Sequence, residues 1–295
     1  MAILHNDIEN VYDLISNGAR VDKTHVPPYF TPLHAACGVH GQAGIVRLLI
    51  DSNASVYVTN SKSETPLHKA AGNQNVNVVV QLLEANADIN AVCTDGDTPL
   101  MSSIQLKNHI NLFHGMNSCE TIWELIIHNA DVNLCNWEQS TPLHEAVKLN
   151  MIDVVTILLG MGVAIDALDA KNRTPLNCAI KEQHTNIAVL LLEWHADANQ
   201  CIRKSVNTIP DPGVLGNQEI VEADSTPLHQ VALFANFQVL RPLFEHGALI
   251  DALDEHSRTP VELAVACKRH QGYECIPSYL YREIYLRQET KTNSE

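Results

Sequence analysis

The chain has 295 residues, 45% of them hydrophobic and only 5% aromatic, with a formal net charge of −15 at pH 7. So apolar a chain buries a sizeable core, which excludes global disorder. Its acidity repels phosphate backbones and anionic lipid surfaces, so nucleic acid and membrane are not expected partners, and no apolar run approaches a membrane span.

Taken in chain order, residues 6–22 carry apolar positions at helical spacing and stop at Gly18, with only Ala2 to His5 left of a preceding helix. The segment Thr31-Pro-Leu-His34 opens the next element. Threonine caps a helix by accepting an orphan amide, and proline at the first helical position lacks only an N–H that would have no partner. Leu33 begins a buried face, Ala35 and Ala36 permit close helix approach, and the run Ile45 to Leu49 gives a second helix that stops at Asn53. The same order recurs from Thr65, with Ala70 and Ala71, a stop at Asn86 and an extended piece, Ala87 to Asn90. From Thr98 the signature weakens to Met101, and a stretch between Gln105 and Glu120 lengthens the loop before a second helix over Thr121 to His128. Thr141 restarts the pattern with a second helix over Val154 to Leu159 and a stop at Gly162. Thr174 starts it again, followed by an insertion from Cys201 to Asp224 that holds the turn signals Pro210, Pro212 and Gly213. Thr226 begins another copy that stops at Gly247. Thr259 begins the last, which departs after Ala264 into polar residues and a second helix around Ser278 to Gln288.

The Thr-Pro dipeptides stand 34, 33, 43, 33, 52 and 33 residues apart, which is one period with two insertions. This seven-fold signature resembles the ankyrin repeat over nearly the whole chain. The resemblance implies an all-α solenoid of about eight helix-turn-helix units joined by β-turn fingers. Its units are a truncated start (1–30), repeats at 31–64 and 65–97, a repeat with an insertion (98–140), a repeat (141–173), a repeat carrying the loop 201–224 (174–225), a repeat (226–258) and a degenerate cap (259–295). One unit cannot bury its own apolar face, so stability is a sum over units and their interfaces.

In such arrays His34, His68, His144 and His229 bond the local threonine and the turn backbone, so the resemblance assigns them a structural role. No metalloprotease, paired-cysteine, zinc-finger, phosphate-loop or nucleophile-elbow motif is present. No enzyme activity, metal or cofactor is expected. His109, His114 and Cys119 lie close together in an insertion, without recognisable ligand spacing. The eight cysteines scatter without pairing, as in a reduced cytoplasmic or nuclear protein, and the start Met1 to Asp7 lacks the basic opening of a secretory leader.

The resemblance points to a monomeric module that binds protein partners on the concave surface of fingers and first helices. The finger candidates are Tyr29, Phe30, Tyr57, Asn60 and Lys62, then Thr94, Asp95 and Asp97, then Asn136, Trp137 and Glu138, then Asp169, Lys171 and Arg173, then Asp254, His256 and Arg258. Exposed aromatic and arginine residues are the usual anchors of interfaces. Trp137 is the sharpest choice, although packing on a neighbouring finger explains it equally well. Trp194, in the second-helix register, is expected to pack. The first-helix positions Ala35, Lys69, Ser102, Glu145, Cys178, Gln230 and Leu263 share no chemistry and predict no ligand class. Two further readings stand beside the adaptor. Residues Ile276 to Leu286 faintly resemble the start of a SOCS box, which would make the chain the substrate-recognition subunit of a ubiquitin ligase, but the cysteine after the leucine is missing. The clipped first unit instead suits the regulatory array of a larger enzyme.

Overall fold

A computed structural model describes residues 3–23, 30–39, 41–105, 118–202, 224–234 and 236–271. The described helices are α1 (Ile8–Ser16), α2 (Pro32–Cys37), α3 (Ala43–Asp51), α4 (Pro66–Gly72), α5 (Val76–Glu84), α6 (Pro99–Gln105) and α7 (Ser118–Ile127). They continue with α8 (Pro142–Lys148), α9 (Ile152–Gly160), α10 (Pro175–Lys181), α11 (Thr185–Glu193), α12 (Pro227–Phe234), α13 (Leu240–Glu245) and α14 (Pro260–Gln271). Short 3-10 turns stand at Ile3–His5 and Phe237–Val239. The fold is the expected all-α array of helix pairs. Among the described residues there is no strand, and Ile202 and Ser225 form an isolated antiparallel bridge.

The chain forms two compact units, one of Met1–Leu149 with Thr156–Val163 and one of Asn150–Val155 with Ala164–Glu295. Within the first, α2, α4, α6 and α8 contact one another in sequence as a row of first helices, and α1, α3, α5 and α7 form the row of second helices. Within the second, α10, α12 and α14 make the first row, and α11 packs on α13. Leu33, Leu67, Leu100 and Leu143 are buried in the first unit and Leu176 and Leu228 in the second, as their place after the proline requires. Each such side chain contributes about 1.5–3 kcal/mol on leaving water. Cys37 is fully buried and its thiol is pushed up by burial, so it is packing rather than a nucleophile.

The caps are built as the sequence indicates. The hydroxyl oxygens of Thr31, Thr65 and Thr141 accept from the amides of His34, His68 and His144, with proline at the start of each helix. Each histidine ring answers the threonine through Nδ1, at 2.8–2.9 Å from the hydroxyl. The other ring nitrogen ties one repeat to the next: Nε2 of His34 donates to the Glu64 carbonyl at 3.0 Å, that of His68 to Asp97 at 3.1 Å and that of His229 to Arg258 at 2.9 Å. A carbonyl only accepts, so Nε2 carries the proton and Nδ1 accepts; the rings are held neutral in one tautomer. Burial pushes His34 and His229 below the ordinary histidine value, with the backbone bonds opposing it only in part.

Three departures have local reasons. Met101 has no ring nitrogen to answer Thr98, whose hydroxyl accepts from the Met101 amide at 3.3 Å. Asn177 accepts from Thr174 but is too short to span to the next finger, and its amide instead donates to Gln230 at 3.3 Å. Glu262 takes the histidine's place at the last cap. There the Thr259 amide and hydroxyl donate to its carboxylate at 2.8 and 3.0 Å and hold it below the usual carboxylate range. The second helices stop as expected, with Gly18, Asn53, Asn86, Asn129, Gly162 and Gly247 all at positive φ. His195 does the same at φ 66.

The second helix of the stretched repeat is α7, Ser118–Ile127, reached from the end of α6 across residues 106–117, which lie outside the described residues together with His109 and His114. Most of the 201–224 insertion and all of the 276–286 segment lie outside them as well. The two ends of that insertion meet in the bridge, where the Ile202 amide donates to the Ser225 carbonyl at 3.0 Å. The last repeat continues as one helix to Gln271, past the point where the sequence departs from the pattern.

Candidate protein-binding surface

Four of the described fingers are turns closed by one side chain. In the first unit Asn60 accepts from the amides of Lys62 and Glu64 at 2.8 and 3.0 Å, and Asn136 accepts from Glu138 and Ser140 at 3.0 Å each. In the second unit Asp169 does the same for Lys171 and Arg173, and Asp254 for His256 and Arg258, at 2.8–2.9 Å. A short polar side chain that bonds the backbone two and four residues on is what a tight turn needs. The residue in this register on a further described finger is Cys93, whose sulfur is a poor acceptor.

Neighbouring fingers of the first unit are stitched together laterally. The Thr94 amide donates to Lys62 at 2.9 Å, the Trp137 amide to Asp95 at 3.2 Å, and the Trp137 indole Nε1 to Thr94 at 2.9 Å. Gly96, at φ +79, lies under the tryptophan; a Cβ there would stand 2.6 Å from the Trp137 nitrogen and 2.9 Å from its Cδ2. The two features of Trp137 coexist. It packs on the adjacent finger, and it remains 69% exposed.

Behind these tips lies a polar network. Asp97 accepts from Asn136 at 3.0 Å and from Gln105 at 3.3 Å, and Gln105 also donates to Glu145 at 3.3 Å. Glu145 accepts from Ser140 at 2.6 Å and pairs with Lys148 at 3.0 Å. The Cys93 sulfur and the Asp95 and Asp97 carboxylates lie within 4.8 Å of one another. Asp97 is engaged by Asn136 and Gln105, so this group is part of the finger's own network.

The nominated residues separate into tips and supports. Tyr57, Lys62, Thr94, Asp95, Trp137, Glu138, Lys171 and His256 are exposed. Tyr57 donates its hydroxyl to the Asn86 carbonyl at 2.9 Å, which fixes the ring. The rest of those described are buried or engaged within their own fingers. Asn60, Asn136, Asp169 and Asp254 are buried as turn formers, and Asp97 is buried within the network of Asn136 and Gln105. Arg173 is clamped on Asp169 through Nε at 2.9 Å and Nη2 at 2.7 Å, and Arg258 pairs with Asp254 at 2.8 Å. Burial pushes Asp254 up, but the bonds from Arg258 outweigh it and leave the carboxyl below its ordinary value. Phe30 is half-buried, edge-on to His34 at 5.8 Å, with the Lys69 ammonium 5.4 Å from its ring centre. Tyr29 lies outside the described residues.

Two further expectations change. Trp194 is 43% exposed, more open than its second-helix register suggests, because it follows the end of α11 and stands two residues past Leu192, the last buried residue of that helix. Ser102, Cys178, Gln230 and Leu263 are buried, so the first-helix face is less open than the register suggested. Sequence reasoning also missed Val92, Leu168 and Leu253, which are 48%, 39% and 58% exposed and directly precede Cys93, Asp169 and Asp254 on their fingers. An apolar residue recurring at one finger register was the available signal.

A family model described as Ankyrin repeats (3 copies) matches residues 1–93, 40–115 and 109–202. The chain belongs to the ankyrin-repeat family. It is 33% identical over 273 residues to a putative ankyrin repeat protein of Fowlpox virus (strain NVSL), spanning 86% of this chain and 38% of that protein. It is 32% identical over 127 residues to cyclin-dependent kinase 4 inhibitor B of Rattus norvegicus, spanning 43% of this chain and 89% of the inhibitor. A third relative, neurogenic locus notch homolog protein 1 of Xenopus tropicalis, is 30% identical over 168 residues, which are 56% of this chain and 6% of that protein. The chain thus spans well under two thirds of the Notch and fowlpox relatives. Ankyrin repeats are protein–protein interaction modules, and the ankyrin stack itself is non-catalytic. No helix among the described residues is long and apolar enough to cross a membrane.

Proposed function

We propose that this chain is a monomeric adaptor of the cytoplasm or nucleus that holds protein partners through its finger tips and the adjoining first helices. The observation that carries the proposal is Trp137. A large aromatic ring that is 69% exposed, yet fixed by its own indole bond to Thr94, is an interface anchor already ordered before binding. Tyr57, Lys62, Asp95 and Glu138 complete the surface in the first unit. Lys171 and His256 are its tips in the second unit. Arg173 and Arg258 serve it by holding their turns in shape. Phe30 contributes from its half-buried place beside Lys69. The ubiquitin-ligase reading rests on residues 276–286, outside the described residues, and the structure adds nothing to it.

The proposal is tested by cross-linking pull-down with Trp137→Ala and Lys171→Ala beside Trp194→Ala as the exposed control. Loss of recovered partners from the first two, with the control unchanged, supports it. Unchanged recovery from all three removes the site assignment.

A further inference from the structure

The chemistry around Trp137 narrows what kind of partner segment it receives, an inference that rests on the protein-binding reading above. One side of the indole is seated against Gly96, and its N–H is committed to the Thr94 carbonyl. What it offers to solvent is a π-surface with no donor to spend. An indole face carries negative electrostatic potential and is the strongest of the aromatic rings at attracting a cation.

The surroundings are of the same sign. Asp95 and Glu138 are exposed on the two fingers that meet at the indole, and neither forms an ion pair among the described residues. Behind them stand Asp97 and Glu145, joined through Gln105. Among the described residues the cations nearby are Lys148, already on Glu145 at 3.0 Å, and Lys62 on the preceding finger. Among the described residues, carboxylates at the tip outnumber cations, within a chain whose net charge is −15.

We propose that the Trp137 face, with the carboxylates of Asp95 and Glu138, receives an arginine side chain from a basic segment of a protein partner. A guanidinium is planar, so it stacks on the ring while its edge N–H groups reach carboxylates. An ammonium has one charge centre and no flat face, and is the poorer fit. A hydrophobic partner segment would gain from the ring but nothing from the acids, which it would have to desolvate.

The test uses the full chain carrying Trp123→Phe and Trp194→Phe, so that Trp137 alone reports. Both replaced residues are about 40% exposed. Capped peptides of alternating glycine with arginine, lysine or glutamate are titrated while the Trp137 emission and indole N–H resonance are followed. The arginine peptide is expected to shift both signals saturably and to bind about two- to fivefold more tightly than the lysine peptide. Asp95→Asn and Glu138→Gln should each weaken it about two- to fivefold, and raised salt should weaken it further. If the double replacement disturbs folding, the Trp137 indole resonance is read in the otherwise unaltered chain. Equal binding of the glutamate peptide, or no response of Trp137 to millimolar arginine peptide, overturns the assignment. Should Trp137→Ala still abolish partner recovery in that event, the protein-binding reading stands without the arginine; if recovery is also unaffected, both fall.

Discussion

Replacing Gly96 by alanine separates two costs that the finger contact imposes. The first is conformational: Gly96 has φ +79, and an alanine in the left-handed region costs about 1–2 kcal/mol. The second is steric: the new Cβ would lie 2.6 Å from the Trp137 nitrogen, 2.9 Å from its Cδ2 and 3.0 Å from the Asn136 Cα. Two of those atoms are backbone, so relief requires moving the neighbouring finger, and forced overpacking of this kind costs about 1–3 kcal/mol. Gly162 supplies the control. It has φ +71 and nothing within 4 Å of its virtual Cβ, so Gly162→Ala pays the conformational cost alone. The expected totals are about 1–2 kcal/mol for Gly162→Ala and about 2–5 kcal/mol for Gly96→Ala. Urea unfolding measures both, and the Trp137 emission should move to longer wavelength in Gly96→Ala as the ring lifts off its seat. Equal losses for the two variants, with unchanged emission, would refute the finger-on-finger packing.

Other outcomes follow from the same geometry. Cys93→Asn restores the turn-closing acceptor present as Asn60 and Asn136, and should stabilise the chain by about 1–2 kcal/mol in urea, two hydrogen bonds at the usual net value. Arg173→Ala leaves Asp169 buried without its clamp and should cost about 1–3 kcal/mol, whereas Lys171→Ala at the exposed tip should leave the unfolding midpoint unchanged. His34 and His229 have folded values below the unfolded 6.5, so the unfolded chain binds protons first. Stability from these rings is complete above pH 6.5 and declines as pH falls below it. In His34→Asn with His229→Asn, which copy the Thr174–Asn177 cap, that decline between pH 7 and 5 should flatten.

Most of the fold was legible because its determinants are local. Threonine before proline names a helix start, and the glycine or asparagine after a second helix names its end, whatever the rest of the chain does. His195 escaped because a histidine in the left-handed region is held by its place in the repeat, not by its own preference. The surface was legible only in outline. Register places Asp169, Arg173, Asp254 and Arg258 on fingers, but it does not say that a carboxylate closing a turn will also capture the arginine four residues on. Both pairs share that spacing, and the ion pairs at 2.7 and 2.8 Å consume the charges that register would have counted as available. Trp137 was ambiguous for a related reason: packing and exposure are settled by the residue opposite, and that residue, Gly96, lies on another repeat.

Partners are expected to meet the finger tips and not the second-helix face. A photoreactive amino acid placed singly at positions 57, 137, 171, 123 and 194, followed by irradiation with partner-containing extract and mass analysis, tests it directly. Adducts concentrated at 57, 137 and 171 are the predicted result. Adducts as abundant at 123 and 194 as at the finger positions would contradict it.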